Sequence, residues 1–170
     1  MKVRRCEVSG GDGRGYEILL DAAEFAILED VFPRLREILL HPERSRKVID
    51  RLFPPAHLDD AEAQREFRRL MGETLLQTRL AAMAEFEKTL ARADSDELPA
   101  RLKLTEEEAN LWLHVINDMR LMLALELGIT ENDWELDPPQ DAADVPAFVM
   151  LLELTDMQHH LIEVLRRSMS

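Results

Sequence analysis

The sequence predicts a mainly α-helical, bundle-like single domain with a small β-hairpin at its N-terminus. Three observations carry that expectation. Apolar residues recur at three- and four-residue steps through most of the chain. Near the start, a cluster of turn-forming residues lies between two short alternating runs. The length of 170 residues suits one domain with one core.

The hairpin is read over residues 2–20. MKVRRCEV and YEILL alternate as strands do, and SGGDGRG between them is turn chemistry. An isolated hairpin is marginal in water, so it should lie against helices. Helices are expected over residues 21–93. Asp21 caps the first, whose stripe is Phe25, Leu28, Phe32, Leu35 and Leu39. Pro33 falls inside that stripe and implies a kink or restart near Phe32. A short helix near residues 43–52 ends at Pro54-Pro55. Asp59 or Asp60 then opens a long helix carrying Phe67, Leu70, Met71, Leu76, Leu80, Met83, Phe86 and Leu90, with Gly72 as a break point. The segment DSDELPAR reads as a solvated loop, and residues 94–104 are expected to be loop throughout.

The central helix, residues 105–127, is signalled at both ends. Thr105 and Glu108 form a capping box. Glu106, Glu107 and Glu108 suit the positive end of the helix dipole. Gly128 supplies the left-handed residue that stops the helix, and Ile129 can fold back toward Ala124. Apolar side chains on both arcs predict burial on most sides. The polar set His114, Asn117, Asp118 and Arg120 therefore needs partners. His114 and Asp118 are four apart and can pair, whereas Arg120 points nearly opposite and must find acceptors elsewhere. A buried polar network fixing helix orientation is preferred over a site for a carboxylate or peptide. The last helix, residues 145–168, splits into a charged arc and an apolar arc. Its first turn (Phe148, Val149, Leu152) is apolar all round, so that end should be the more deeply packed.

Charge narrows the function. The net charge is −13, and residues 104–170 hold three basic and fourteen acidic groups, nearly the whole excess. Such a surface repels phosphate backbones and anionic lipid and favours basic partners, so nucleic acid and membranes are not expected partners. No apolar run approaches the roughly 20 residues of a membrane span, and no apolar stretch follows the basic N-terminus as in a secretory signal. The single cysteine, Cys6, fits a reducing cytoplasm and a structural role.

Catalytic signatures are weak. SGGDGRG lacks the following helix and Lys-Ser/Thr pair of a phosphate loop. On the last helix, Asp156/His160 and His159/Glu163 have the spacing of metal-chelating pairs. They lie on the charged arc, where solvated ion pairs are the default, so no metal or other cofactor is expected. The alternating acids Glu131, Asp133, Glu135 and Asp137 invite a calcium reading. Counted from Asp133, the glycine and final glutamate that an EF-hand requires are Pro138 and Asp144, so the pattern fails. With Trp134 these acids are instead candidates for a protein interface.

One stretch carries a family resemblance. Leu102, Leu104, Thr105, Ala109, Trp112, Asn117-Asp118-Met119-Arg120-Leu121 and Leu127-Gly128 form a connected motif. It resembles an uncharacterised bacterial family, mainly actinobacterial, whose genes commonly neighbour the ClpS protease adaptor. The resemblance implies an α-helical fold, no assigned activity and a link to proteolysis or its regulation. Ala124 and Glu126 depart from the family pattern, which has glycine and a basic or polar residue there. The leading expectation is a soluble cytoplasmic adaptor or regulator, which the resemblance ties to Clp-dependent proteolysis, that meets a basic or mixed protein surface through residues 126–144. Homodimerisation through an amphipathic face is a second way to use such a surface. The competing class is a metal-dependent or acid–base enzyme using His114/Asp118 or His159/His160.

Overall fold

A computed structural model describes residues 1–8, 14–56, 59–95, 98–129 and 146–168. The described residues form a three-stranded antiparallel sheet and five α-helices. In chain order these are β1 (Lys2–Glu7), β2 (Arg14–Leu20), α1 (Ala22–Leu40), α2 (Arg46–Leu52), α3 (Ala61–Leu90), β3 (Ala100–Thr105), α4 (Glu106–Glu126) and α5 (Pro146–Ser168). A short 3-10 turn, Pro42–Arg44, precedes α2. The mainly helical expectation holds, and the hairpin lies against helices as its size required.

The sheet differs from the expectation in one respect. Residues 100–105, read as loop, form β3, which pairs with β2 and makes β2 the central strand. The alternation in ALA-ARG-LEU-LYS-LEU-THR is strand periodicity: Ala100, Leu102 and Leu104 are buried while Arg101 and Lys103 are exposed. Across the register Tyr16 faces Leu104, Ile18 faces Leu102 and Leu20 faces Ala100, and all six are buried. This inner face packs on α4 and α1. At Gly15 a Cβ would lie 2.5 Å from the Leu104 carbonyl oxygen, so no larger residue fits without moving the strand.

The outer face is charged. Lys2 and Arg101 flank Leu19 across the register, and Arg4 and Lys103 flank Glu17. The Glu17 carboxylate is nearly buried and accepts from Arg4 on β1 and from Arg101 on β3, the latter at 3.2 Å. Burial pushes the Glu17 carboxyl up, but Arg4, Arg101 and Lys103 together hold it below the usual carboxylate range.

Local signals set the helix ends. Asp21 accepts from the amides of Ala23 and Glu24, and Glu24 returns the bond to the Asp21 amide. Asp60 caps α3 in the same way through Glu62 and Ala63. Neither the restart expected at Pro33 nor the break expected at Gly72 occurs. α1 runs unbroken across Pro33, because Val31, Phe32, Leu35 and Leu39 are all buried on one side and their packing outweighs one lost hydrogen bond. α3 likewise passes through Gly72 without interruption. Its buried residues are Met83, Phe86 and Thr89, so only its C-terminal part enters the core.

Aromatic stacking joins three helices there. Phe32 of α1 stacks on Phe86 of α3 with centroids 5.0 Å apart, and Phe86 meets Trp112 of α4 at 4.5 Å. The Trp112 indole N–H donates to Thr89 Oγ1 at 2.6 Å, satisfying a fully buried donor. α5 packs chiefly on α4, through Leu151, Leu154, Met157, Leu161 and Leu165. In its first turn Phe148 is buried, but Val149 and Leu152 are exposed. The deeper packing expected of that end is therefore corrected: two of its three apolar side chains remain about half exposed.

The lowered Glu17 carboxyl gives a signed expectation. Its contribution to stability is complete above the ordinary glutamate value of about 4.3 and disappears as pH falls through the lowered folded value. Glu17→Gln should therefore cost roughly 1 kcal/mol at neutral pH. In urea titrations at several pH values, the gap between wild type and variant should close as the solution is made acid.

Candidate functional site

α4 is placed by signals on both sides of it. It starts directly after β3, where Thr105 Oγ1 accepts from the Glu108 amide at 3.2 Å and Glu108 returns to the Thr105 amide at 2.9 Å. Burial raises the Glu108 carboxyl, but Arg92 and the Thr105 amide bring it below the usual range, so the capping box stays charged at neutral pH. Gly128 has φ of +70°, and the Ile129 amide reaches the Ala124 carbonyl at 2.8 Å, which closes the helix as its sequence predicts. Ala109, Trp112, Val115, Ile116, Asp118, Met119, Met122 and Leu123 are buried, and Leu113, Leu121 and Leu125 are partly covered.

Three of the four polar residues singled out on α4 divide between two neighbours. Asp118 is buried and takes Arg79 of α3 as its partner. The same guanidinium donates to the Leu52 carbonyl at the end of α2, at 3.0 Å, and lies 5.1 Å from the centre of the Phe53 ring. Arg79 thus ties α2, α3 and α4 together. Burial pushes the Asp118 carboxyl above its ordinary value, while Arg79 and, more weakly, His114 pull it back. The expected His114–Asp118 pair is not formed: His114 is exposed and the carboxylate is committed to Arg79. A fixed guanidinium charge that also satisfies a helix C-terminal carbonyl outcompetes an exposed imidazole.

Asn117 and Arg120 face α5. Arg120 Nε donates to Thr155 Oγ1 at 2.9 Å, and its Nη1 donates to Gln158 Oε1. Gln158 Nε2 donates to Asn117 Oδ1 at 3.2 Å, and the Thr155 hydroxyl donates to the Leu151 carbonyl. Arg120 does find acceptors elsewhere in the fold, among them a hydroxyl and an amide. The result is a polar clasp between α4 and α5, surrounded by apolar packing.

Two adjoining clefts open between α2 and α3, one of about 420 Å³ that reaches Arg79, His114 and Asp118, the other of about 210 Å³. Phe53, Pro54, Phe67 and Leu75 line both. Sequence reasoning did not single out Arg79, Thr89, Thr155 or Gln158. A signal for them was present, because each is a polar residue at a position where its helix's apolar stripe faces the core.

The histidine pairs of α5 are solvent-facing. His160 Nδ1 lies 3.2 Å from Asp156, and His159 lies 3.7 Å from Glu163. No group of three or more His, Cys, Asp or Glu side chains among the described residues is arranged to hold a metal ion. Cys6 is partly covered, and burial raises its thiol against the opposing charges of Lys103 and Arg4. The interface candidates Glu131, Asp133, Trp134, Glu135 and Asp137 lie outside the described residues.

Residues 5–165 match the family described as a domain of unknown function, DUF2017. The chain therefore belongs to that family, and the match extends well beyond the motif of residues 102–128. No curated protein and no solved structure matches the chain. No helix among the described residues is long and apolar enough to cross a membrane.

The Arg79–Asp118 pair makes a signed prediction. Arg79→Ala leaves a buried carboxylate uncompensated and should destabilise the fold by about 3 kcal/mol at neutral pH. The folded-state pKa of Asp118 then rises further, so the loss is complete above that value and shrinks as pH falls below it. Urea denaturation of wild type and variant at pH values on either side should show the gap narrowing in acid, opposite to the effect of leaving a cation unpaired.

Proposed function

We propose that this member of the family is a non-enzymatic protein-interaction adaptor or regulator, acting in or around Clp-dependent proteolysis in the cytoplasm. Its working element is the stretch from Glu126 to Asp144, which carries seven acidic residues and no basic one. Four of them, Glu131, Asp133, Glu135 and Asp137, alternate around Trp134, a residue type suited to anchoring an interface. A basic or mixed protein surface is the matching partner.

The observation that carries this reading is the α4–α5 clasp. α4 ends at Glu126 and α5 begins at Pro146, so both attachment points of the acidic stretch belong to one braced helix pair. Arg120, Asn117, Thr155 and Gln158 hold that pair together by hydrogen bonds. Segments borne on rigid elements lose less entropy on binding than free ones. Leu151, Leu154, Met157, Leu161 and Leu165 of α5 are committed to the core. The gene neighbourhood that the family resemblance carries supports the Clp connection.

The test is a titration of the whole chain against purified ClpS. Saturable binding is expected at about 50 mM salt, weakening strongly toward about 300 mM as the charges are screened. The variant Glu131→Gln/Asp133→Asn/Glu135→Gln/Asp137→Asn should lose at least about tenfold in affinity, and Trp134→Ala a comparable amount. Binding that ignores both salt and these substitutions would overturn the acidic-surface reading. Absence of any binding to ClpS would overturn the Clp assignment.

A further inference from the structure

The outer face of the sheet has the opposite character to the rest of the molecule. Lys2, Arg4, Arg101 and Lys103 share it, in a chain whose net charge is −13. Arg4 and Arg101 are more than half exposed even though both reach the Glu17 carboxylate. Lys2 and Lys103 have no ion pair among the described residues, so theirs are the uncompensated charges. The four cations form two short rows, Lys2 and Arg4 along β1 and Arg101 and Lys103 along β3. Leu19 and the neutralised Glu17 lie between the rows on β2.

We infer that this face is a docking surface for an extended, acidic peptide segment of a partner protein. The spacing is the first reason. Alternate residues of a strand are about 6.7 Å apart, so the cations within each row have the repeat at which an extended peptide presents every second side chain. A segment lying along β2 with acids at alternate positions can reach a cation at each, while its intervening side chains are free for solvent or partner. Charge complementarity is the second reason: the face bears four cations and one carboxylate. A nucleic acid fits less well. Its phosphates would bring long-range repulsion from the acidic C-terminal third, and two of the four cations on the face are already ion-paired with the Glu17 carboxylate. This surface is built from residues other than 126–144, so the two together would let one adaptor meet partners of opposite charge.

The experiment follows the fluorescence anisotropy of a labelled peptide of alternating glutamate and threonine during titration with the full chain. Controls are an alternating lysine–threonine peptide and a single-stranded oligonucleotide. Saturable binding of the acidic peptide, lost on raising salt from about 50 to about 300 mM, is expected. Lys2→Gln/Lys103→Gln removes two cations without setting a second carboxylate opposite Glu17 and keeps its Arg4 and Arg101 ion pairs, so the variant should fold normally by circular dichroism and bind at least about tenfold more weakly. The same titration on Glu131→Gln/Asp133→Asn/Glu135→Gln/Asp137→Asn removes competition from the chain's own acids and should bind as tightly or more so. No saturable signal from either wild type or that variant would overturn the inference, as would equal binding by the double lysine variant. Tighter binding of the oligonucleotide through the same two lysines would overturn it in favour of a phosphate polymer.

Discussion

A helix buried on most sides must have every polar side chain answered by another element, and that constraint organises this fold. α4 meets it at three places. Trp112 gives its indole N–H to Thr89, Asp118 takes Arg79, and Asn117 and Arg120 engage α5 through Thr155 and Gln158. Each answer comes from a different stretch of helix, so satisfying α4 also fixes where α3 and α5 sit. Removing one member leaves a buried group without its partner, which costs more than the bond itself contributes. Asn117, Asp118 and Arg120, which give the family motif its character, are thus explained by packing before any ligand is invoked.

The sheet adds the second constraint. β3 runs into α4 without a connecting loop, so the register that puts Leu102 and Leu104 on the core face also sets the height at which α4 begins. The Thr105–Glu108 box then fixes its first turn. Tyr16, Ile18 and Leu20 close the inner face against the helices, and Glu17 in the middle strand draws Arg4 and Arg101 together on the outer one. One strand therefore serves a buried apolar layer and a charged surface, as alternation along its length requires.

What the sequence reveals divides according to distance along the chain. The caps at Asp21, Asp60, Thr105 and Gly128 were legible because every partner lies within five residues. β3 was not, since its partner strand is more than eighty residues away and its four-residue alternation beside DSDELPAR looks like loop. The His114–Asp118 spacing suggested a local pair. The actual partner, Arg79, sits 39 residues earlier, and only its place on an apolar stripe hinted at a buried role. Pro33 and Gly72 were read as breaks by local propensity, and burial of the flanking stripe of α1 overrode the first. The exposed Val149 and Leu152 show the same limit from the other side, because composition alone does not reveal which faces of a helix find a neighbour.

If α4 is the element on which the others depend, its backbone should open only when the whole domain unfolds. Native-state hydrogen exchange measures this directly, residue by residue. The amides from Trp112 to Met122 should be among the slowest, with opening free energies equal to that of global unfolding in urea. A smaller opening free energy for these amides, with the sheet and α1 still protected, would show α4 leaving independently and would contradict the account.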